Sequence, residues 1–174
     1  MTPQEIKNLF STIEQDHELV AAQMGLLKRI TTTVLDTEGR DYDQALESLH
    51  EIERFMASKL LPHFQEEEDG LFQLFRDQLP GGRRLVGELE AEHSELRTQH
   101  EQFRAELALL NYLDESRHPV LLHLCSMSWQ MADLLAKHAE KERQAMNDCV
   151  KRLLATGTAA EPTKSHSEQA ARCS

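Results

Sequence analysis

The sequence predicts an all-α protein that folds as an up-down-up-down four-helix bundle. Apolar residues recur at steps of three, four or seven along four long stretches, which is the period of an amphipathic helix. Short connections separate these stretches, as expected for antiparallel neighbours in a bundle. We assign the bundle to residues 1–155. Residues 156–174 are rich in Thr, Ala, Glu, Ser and Gln and have no apolar period, so we expect a disordered tail there.

The first helix is predicted to begin at Thr2-Pro3, because threonine caps helices and proline favours the first helical position. Gly39 lies in the turn that is expected to end it. A single histidine, His17, lies within the apolar stripe of this helix. The apolar members of the stripe are Ile6, Phe10, Ile13, Val20, Met24, Leu27 and Val34.

The second helix is predicted to begin near Asp41 and to end at Pro80-Gly81-Gly82. Its apolar stripe is interrupted by His63 and Glu67, which are four residues apart and therefore point the same way. Pro62 lies inside the helix. Because proline lacks an N–H group, we expect it to remove one backbone hydrogen bond and to kink the helix just before His63.

The third and fourth helices carry the same kind of interruption. The stripe from Leu85 to Leu110 includes His93 and also His100. After a polar connection, the fourth helix opens around Pro119, and its stripe includes the pair His138 and Glu142, again four residues apart. Each predicted helix therefore places at least one potential metal ligand on its apolar face.

Composition excludes several classes of function. The chain has 19 Lys+Arg against 30 Asp+Glu, a net charge of -11, which argues against a nucleic-acid partner. No apolar run approaches the roughly 20 residues of a membrane span, so no membrane partner is expected. The N-terminus has no basic and apolar signal pattern. The three cysteines form no C-x-x-C pair, which favours a reduced, cytoplasmic location.

Counting residues from the turns predicts that the interruptions meet at one level of the bundle. His17 is 22 residues before Gly39 and His63 is 24 after it, while Glu67 is 14 before Gly81 and His93 is 12 after it. Such mismatches amount to about one helical turn, roughly 5 Å. Buried imidazoles and carboxylates without a cation would be costly, and these ligands suit iron, manganese or zinc. The predicted metal ligands are His17, His63, Glu67, His93, His138 and Glu142.

This constellation closely resembles the hemerythrin-like (HHE) domain, over roughly Ile6 to Leu154. The resemblance implies a non-haem di-iron centre, with two iron ions joined by an oxo or hydroxo bridge inside a four-helix bundle. It implies that the two glutamates bridge the irons. His17 and His63 would then serve one iron, and His93 and His138 the other.

Two departures distinguish this chain from the oxygen-carrying members of that family. The residue four after His93 is Arg97, where carriers have a second histidine, and the last carboxylate is Glu142 at i+4, where carriers have an aspartate at i+5. The pattern resembles the four-His, two-Glu subtype of iron-sensing and iron-centre-repair relatives. With two histidines each, both irons could hold open positions for O2, NO or peroxide. This weakens the case for reversible oxygen transport.

Three functions follow as alternatives. The centre binds or senses a small ligand (O2, NO or peroxide) or iron itself, in oxidative or nitrosative stress or in iron homeostasis. Alternatively it acts like an enzyme, in peroxide or NO detoxification or in iron–sulfur centre repair; the repair relatives carry an extra cysteine-containing N-terminal segment, and this chain starts directly at the bundle. A structural protein with a vestigial site is the third, and retention of all six ligands speaks against it.

Three other residues deserve an interpretation. The run from Gln65 to Asp69 is predicted to be mostly a solvated face, with an alternate-ligand or supporting role for Glu66 as the less favoured interpretation. His100 lies about 10 Å from His93 at helical rise, too far to ligate the same iron, so a core or supporting role is expected. Cys149 is predicted to be a small buried thiol.

Overall fold

The computed structural model describes residues 2–36, 42–110 and 117–157, and all of the regular structure within these ranges is helical. The helices are α1 (Pro3–Asp36), α2 (Tyr42–Phe55), α3 (Leu61–Glu66), α4 (Phe72–Gln78), α5 (Gly82–Leu109) and α6 (Arg117–Gly157). Two π-helical turns, Met56–Leu60 and Glu67–Leu71, continue α2 into α3 and α3 into α4, so these helices form a single rod, and the described residues make four rods. The predicted turn at Gly39, most of the connection before Pro119 and the tail from residue 158 onward lie outside the described residues.

Two apolar clusters show that neighbouring rods are antiparallel. One cluster combines the beginning of α1 with α4, the beginning of α5 and the end of α6. The other combines the later part of α1 with α2, the end of α5 and the beginning of α6. The all-α, up-down-up-down four-helix bundle predicted from the sequence is therefore confirmed. Among the described helices, none is long and apolar enough to cross a membrane.

The first helix begins as its sequence predicts. The Thr2 hydroxyl accepts a hydrogen bond from the Glu5 backbone N–H at 3.2 Å, and the Glu5 carboxylate accepts one from the Thr2 N–H at 2.6 Å. This reciprocal pair satisfies two donors that the helix end would otherwise leave free. It fixes the start of α1 and therefore the register of His17 along the bundle.

The second rod departs from α-helical geometry on both sides of α3. Two π-helical turns, Met56–Leu60 and Glu67–Leu71, flank it. At the first turn the Leu61 N–H bonds to the Met56 carbonyl, five residues back. Pro62 follows in the first turn of α3, where its missing N–H is tolerated. A wider helical turn therefore lies next to Pro62, and the kink that the sequence predicts there stays a prediction.

The turn between α4 and α5 depends on two glycines. Leu79 is extended and Gly81 has a φ of 75°, a left-handed conformation that favours glycine. Gly82 packs so closely that a Cβ atom there would lie 2.0 Å from the Phe75 carbonyl oxygen. The break predicted at Pro80-Gly81-Gly82 is confirmed.

Candidate metal centre

Four histidines and two glutamates converge between the two apolar clusters. Their donor atoms form two overlapping groups, and within each group all donors lie within 4.8 Å of one another. Five of the six side chains are buried, and that of His17 is 15% exposed. The first group is His17, His63 and Glu67, and the second is Glu67, His93, His138 and Glu142. The structure therefore brings together all six side chains that the sequence singles out.

Glu67 belongs to both groups because its two oxygens face different histidines. Its Oε1 lies 2.9 Å from Nε2 of His63 and 3.2 Å from Nε2 of His17. Its Oε2 lies 3.2 Å from Nε2 of His93 and 4.0 Å from Nε2 of His138. The carboxylate thus spans the two histidine pairs, as a carboxylate shared by two cations would.

Glu142 spans the same gap from α6. Its Oε2 lies 3.0 Å from Nε2 of His17, and its Oε1 lies 3.3 Å from Nε2 of His138. Neither oxygen receives an aligned hydrogen bond, although both are fully buried. The Oε2 atom of Glu67 is also fully buried and receives no aligned hydrogen bond. Buried carboxylate oxygens without partners are costly, and a cation between them would remove that cost.

The spacing of the imidazoles also fits a metal ion. Nε2 of His93 and Nε2 of His138 are 3.0 Å apart. Two nitrogens that bind one ion at about 2.1 Å and at right angles would be separated by about 3 Å. The donor set and its geometry therefore fit a cation site.

The electrostatics of the cluster favour positive charge. Burial disfavours the charged form of His17, but the Glu142 and Glu67 carboxylates outweigh burial and raise its pKa from 6.5 to about 9. Burial likewise opposes the rise in the pKa of His138 that Glu142 and Glu67 cause. The pKa of Glu67 is held well below its usual value, against the effect of burial, by His17, His63 and His93. Protons or metal cations must therefore balance the two buried carboxylates.

The carboxylate of Glu68, which is outside the cluster, contacts the His93 ring at Nδ1, the nitrogen that does not face the cluster. Nδ1 of His93 lies 2.7 Å from Oε1 of Glu68, and Arg97 donates a hydrogen bond of 2.9 Å to the same oxygen. Burial raises the pKa of Glu68, but Arg97 and His93 outweigh burial and lower it. The ring of His93 also stacks on Phe64, with centroids 4.0 Å apart, and on Phe72, at 5.2 Å. These contacts fix the ring with Nε2 directed at the cluster.

Two more histidines have a carboxylate at Nδ1. Glu92 lies 3.0 Å from Nδ1 of His138 and also pairs with Lys141. Asp16 lies 3.4 Å from Nδ1 of His63 but makes no aligned hydrogen bond to it. A hydrogen-bonded carboxylate orients an imidazole and raises its basicity as a metal ligand. His93 and His138 are therefore supported by a hydrogen bond from outside the cluster, and His63 has a carboxylate nearby.

The supporting carboxylates are functional candidates that sequence reasoning missed. Glu66, which the sequence predicts to lie on a mostly solvated face, is exposed, and Glu68 rather than Glu66 makes the supporting contact. Their positions in the sequence could have indicated them, because Glu68 directly follows Glu67 and Glu92 directly precedes His93. His100 is buried with Nε2 3.4 Å from Glu53, which agrees with its expected place in the core away from the six residues.

A four-helix bundle that directs four imidazoles and two carboxylates into its interior is a cation-binding helical protein. The family model of the hemerythrin HHE cation-binding domain matches residues 8–99, just over half of the chain, and the chain belongs to this family. The matched range contains His17, His63, Glu67 and His93, whereas His138 and Glu142 lie beyond it on α6. No curated protein and no solved structure gave a match.

Proposed function

We propose that the chain is a non-haem di-iron protein that binds or senses a small ligand. His17 and His63 hold one iron, His93 and His138 hold the other, and Glu67 and Glu142 bridge the two. The observation that carries this proposal is the orientation of Glu67, whose Oε1 faces the first pair and whose Oε2 faces the second. A site for a single ion would not need two carboxylates that each span both pairs.

Iron is favoured by the chemistry of the donors. Two imidazoles with carboxylate oxygens and no thiolate are the ligands that non-haem iron proteins use when they keep positions open. When bound, such iron supplies reversible redox chemistry and open positions for a small ligand. The residues of the chain hold the ions, orient the imidazoles and, through Phe64 and Phe72, keep water from the His93 side.

The ligand proposed for this centre is O2, NO or peroxide, or iron itself as a measure of supply. With two histidines for each ion, the protein donors leave room for such a ligand at both. The corresponding role is in cytoplasmic oxidative or nitrosative stress or in iron homeostasis. An enzyme-like role differs in one measurable respect: peroxide or NO would be consumed during a titration instead of being bound in proportion to protein.

The test is the metal content of the protein after expression in iron-supplemented medium. We expect about two irons per chain, with near-ultraviolet absorption of a bridged ferric pair in air. His63→Ala and Glu67→Ala should lose most of this iron. His123→Ala is the control, because His123 is 60% exposed and pairs with Glu106 away from the centre. Unchanged iron in both site variants, with helicity preserved by circular dichroism, would refute the assignment.

A further inference from the structure

An apolar groove runs between α1 and α6 from the metal centre toward the surface. It has a volume of about 240 Å³. The α1 residues that line it extend from His17 to Lys28, a rise of about 16 Å along the helix. Five of the fourteen lining residues are small. They are Ala21, Gly25, Ala132, Ala136 and Ala139.

The groove is much larger than the small ligands proposed for the centre. A cavity of about 150 Å³ accommodates benzene, and one water occupies about 30 Å³ of liquid. A diatomic gas or peroxide would therefore leave most of the groove empty. Its length and apolar walls fit an elongated aliphatic chain better.

One side chain that lines the groove is a permanent cation, Lys28. The other ionisable lining residues are His17, His63 and His138, which are the proposed metal ligands, and no carboxylate of the described residues lines the groove. The charge that the groove offers to a ligand of its own is therefore that of Lys28. The three histidines mark the inner end, and Lys28 marks the outer end.

Lys28 is available for such an anion. Its Nζ lies 2.7 Å from Asp133, but the Asp133 side chain is 64% exposed, so this ion pair is largely in water and contributes little. The Lys28 ammonium also lies 5.6 Å from the ring of Trp129, which is 44% exposed. A ligand carboxylate at Lys28 would therefore replace Asp133 in this exposed ion pair, and it would meet one cation and one apolar ring at the mouth of the groove.

We propose that the groove binds a medium-chain aliphatic carboxylate. The carboxylate pairs with Lys28, and the chain lies along the small residues of α1 and α6 toward His17. In that position the chain covers the approach to the histidine end of the groove. This site is additional to the di-iron function and does not require metal for its contacts.

The experiment is a titration of the full-length, metal-loaded protein with octanoate, by calorimetry and by the fluorescence of Trp129, the single tryptophan of the chain. Octanol and octylamine are the probes matched for chain length. We expect octanoate to bind up to about fivefold more tightly than octanol, and octylamine to bind more weakly still, because the charge at the half-exposed Lys28 distinguishes them. Equal affinity for all three would overturn the assignment of an anion, and absence of octanoate binding would overturn the site.

Matched variants locate the binding. A Cβ atom at Gly25 meets nothing closer than Arg29 at 4.0 Å, so Gly25→Leu should fold and fill the groove, weakening octanoate binding more than tenfold. Gly87→Leu, on the exposed face of α5, is the control and should bind normally. Ala136→Leu is a second filling variant on the other wall of the groove. Octanoate affinity unchanged in both filling variants would place the ligand elsewhere and overturn the proposal.

The charge is tested separately. Lys28→Met should reduce the affinity for octanoate up to about fivefold, to that for octanol, and leave octanol unchanged. Lys151→Met is the control, because Lys151 also pairs with an exposed aspartate, Asp148, at 3.0 Å. Metal content is measured in every sample. A protein that holds about two irons but binds no octanoate would overturn this inference alone. A protein that binds octanoate but takes up no iron would overturn only the proposed di-iron function.

Discussion

Replacing Glu92 by glutamine tests whether the carboxylates that contact the Nδ1 atoms of the histidines contribute to metal binding. Glu92 lies 3.0 Å from Nδ1 of His138 and is buried to all but 17% of its side chain. Glu92→Gln keeps the size of the group but removes the charge that makes His138 a stronger ligand. Loss of such a partner typically lowers metal affinity by about 10- to 100-fold, or about 1.4 to 2.7 kcal/mol. Glu68→Gln should act similarly through His93, at 2.7 Å.

The assay is competition for the bound metal by a chromophoric chelator, followed by absorbance at neutral pH. Glu95→Gln is the matched control, because Glu95 lies on the same helix, is exposed and bonds Gln99 at 2.6 Å. Its metal affinity should equal that of the unmodified chain. If Glu92→Gln and Glu68→Gln also retain full affinity while the fold is intact, the supporting role of both carboxylates is refuted.

Three further predictions concern stability and reactivity. Chelation of the metal should lower the Tm by about 10 °C, since ligand at about 1,000 times Kd contributes about 4 kcal/mol. Burial raises the pKa of the Cys125 and Cys149 thiols to about 11. At pH 8 each thiol should therefore react with a disulfide reagent about 100-fold more slowly than a thiol of pKa 9, because the thiolate is the reacting form. The rate should rise about tenfold with each added pH unit up to pH 10. In urea unfolding, Gly81→Ala should cost about 1 to 2 kcal/mol because of its φ of 75°, and Gly82→Ala should cost more because its Cβ would strike a carbonyl oxygen of α4. Gly87→Ala, with open space around it, should stabilise by about 1 kcal/mol.

Controls make these outcomes decisive. The chelator should leave the Tm of His63→Ala unchanged, and an equal drop in both proteins would mean that the chelator acts elsewhere. The thiol experiment uses a Cys173→Ser background so that only the two buried thiols are counted, and a fast phase at pH 8 would contradict their burial. Equal stability of Gly81→Ala and Gly82→Ala would contradict the close approach between α4 and α5.

Much of the fold follows from residue spacing, because a bundle repeats one simple rule along each helix. The stripe of α1 illustrates this: Ile13, Val20 and Leu27 are all buried, as their seven-residue spacing predicts. The level of each polar interruption could be counted from the turns, since antiparallel rods of equal rise place equal counts side by side. The six predicted side chains accordingly meet, whereas their role as ligands stays a prediction.

The supporting residues could not be predicted in the same way. In an α-helix each residue turns the next side chain by about 100°, and each π-helical turn adds a residue to that count. Two such turns flank α3, and Glu68 lies within the second, so the direction of its side chain depends on a backbone irregularity that spacing does not report. The spacing of His63 and Glu67 is not affected, because the residues between them belong to α3 and the Glu67 N–H still bonds to the His63 carbonyl. The level at which ligands on different helices meet is therefore predictable here, whereas the partner of each Nδ1 atom is not.

In the described part of the chain, three of the four histidines of the centre have a carboxylate near Nδ1, and the exception, His17, lies on α1. His63, His93 and His138 each have a carboxylate within 3.4 Å of Nδ1, whereas for His17 the described residues show carboxylates only at Nε2. His17 is also the most exposed of the four histidines and lies at the inner end of the groove. In the proposed centre, α1 therefore contributes one ligand that is oriented mainly by the cluster itself. Exchange of ligand with solvent should occur along α1, and the octanoate titration probes this same side.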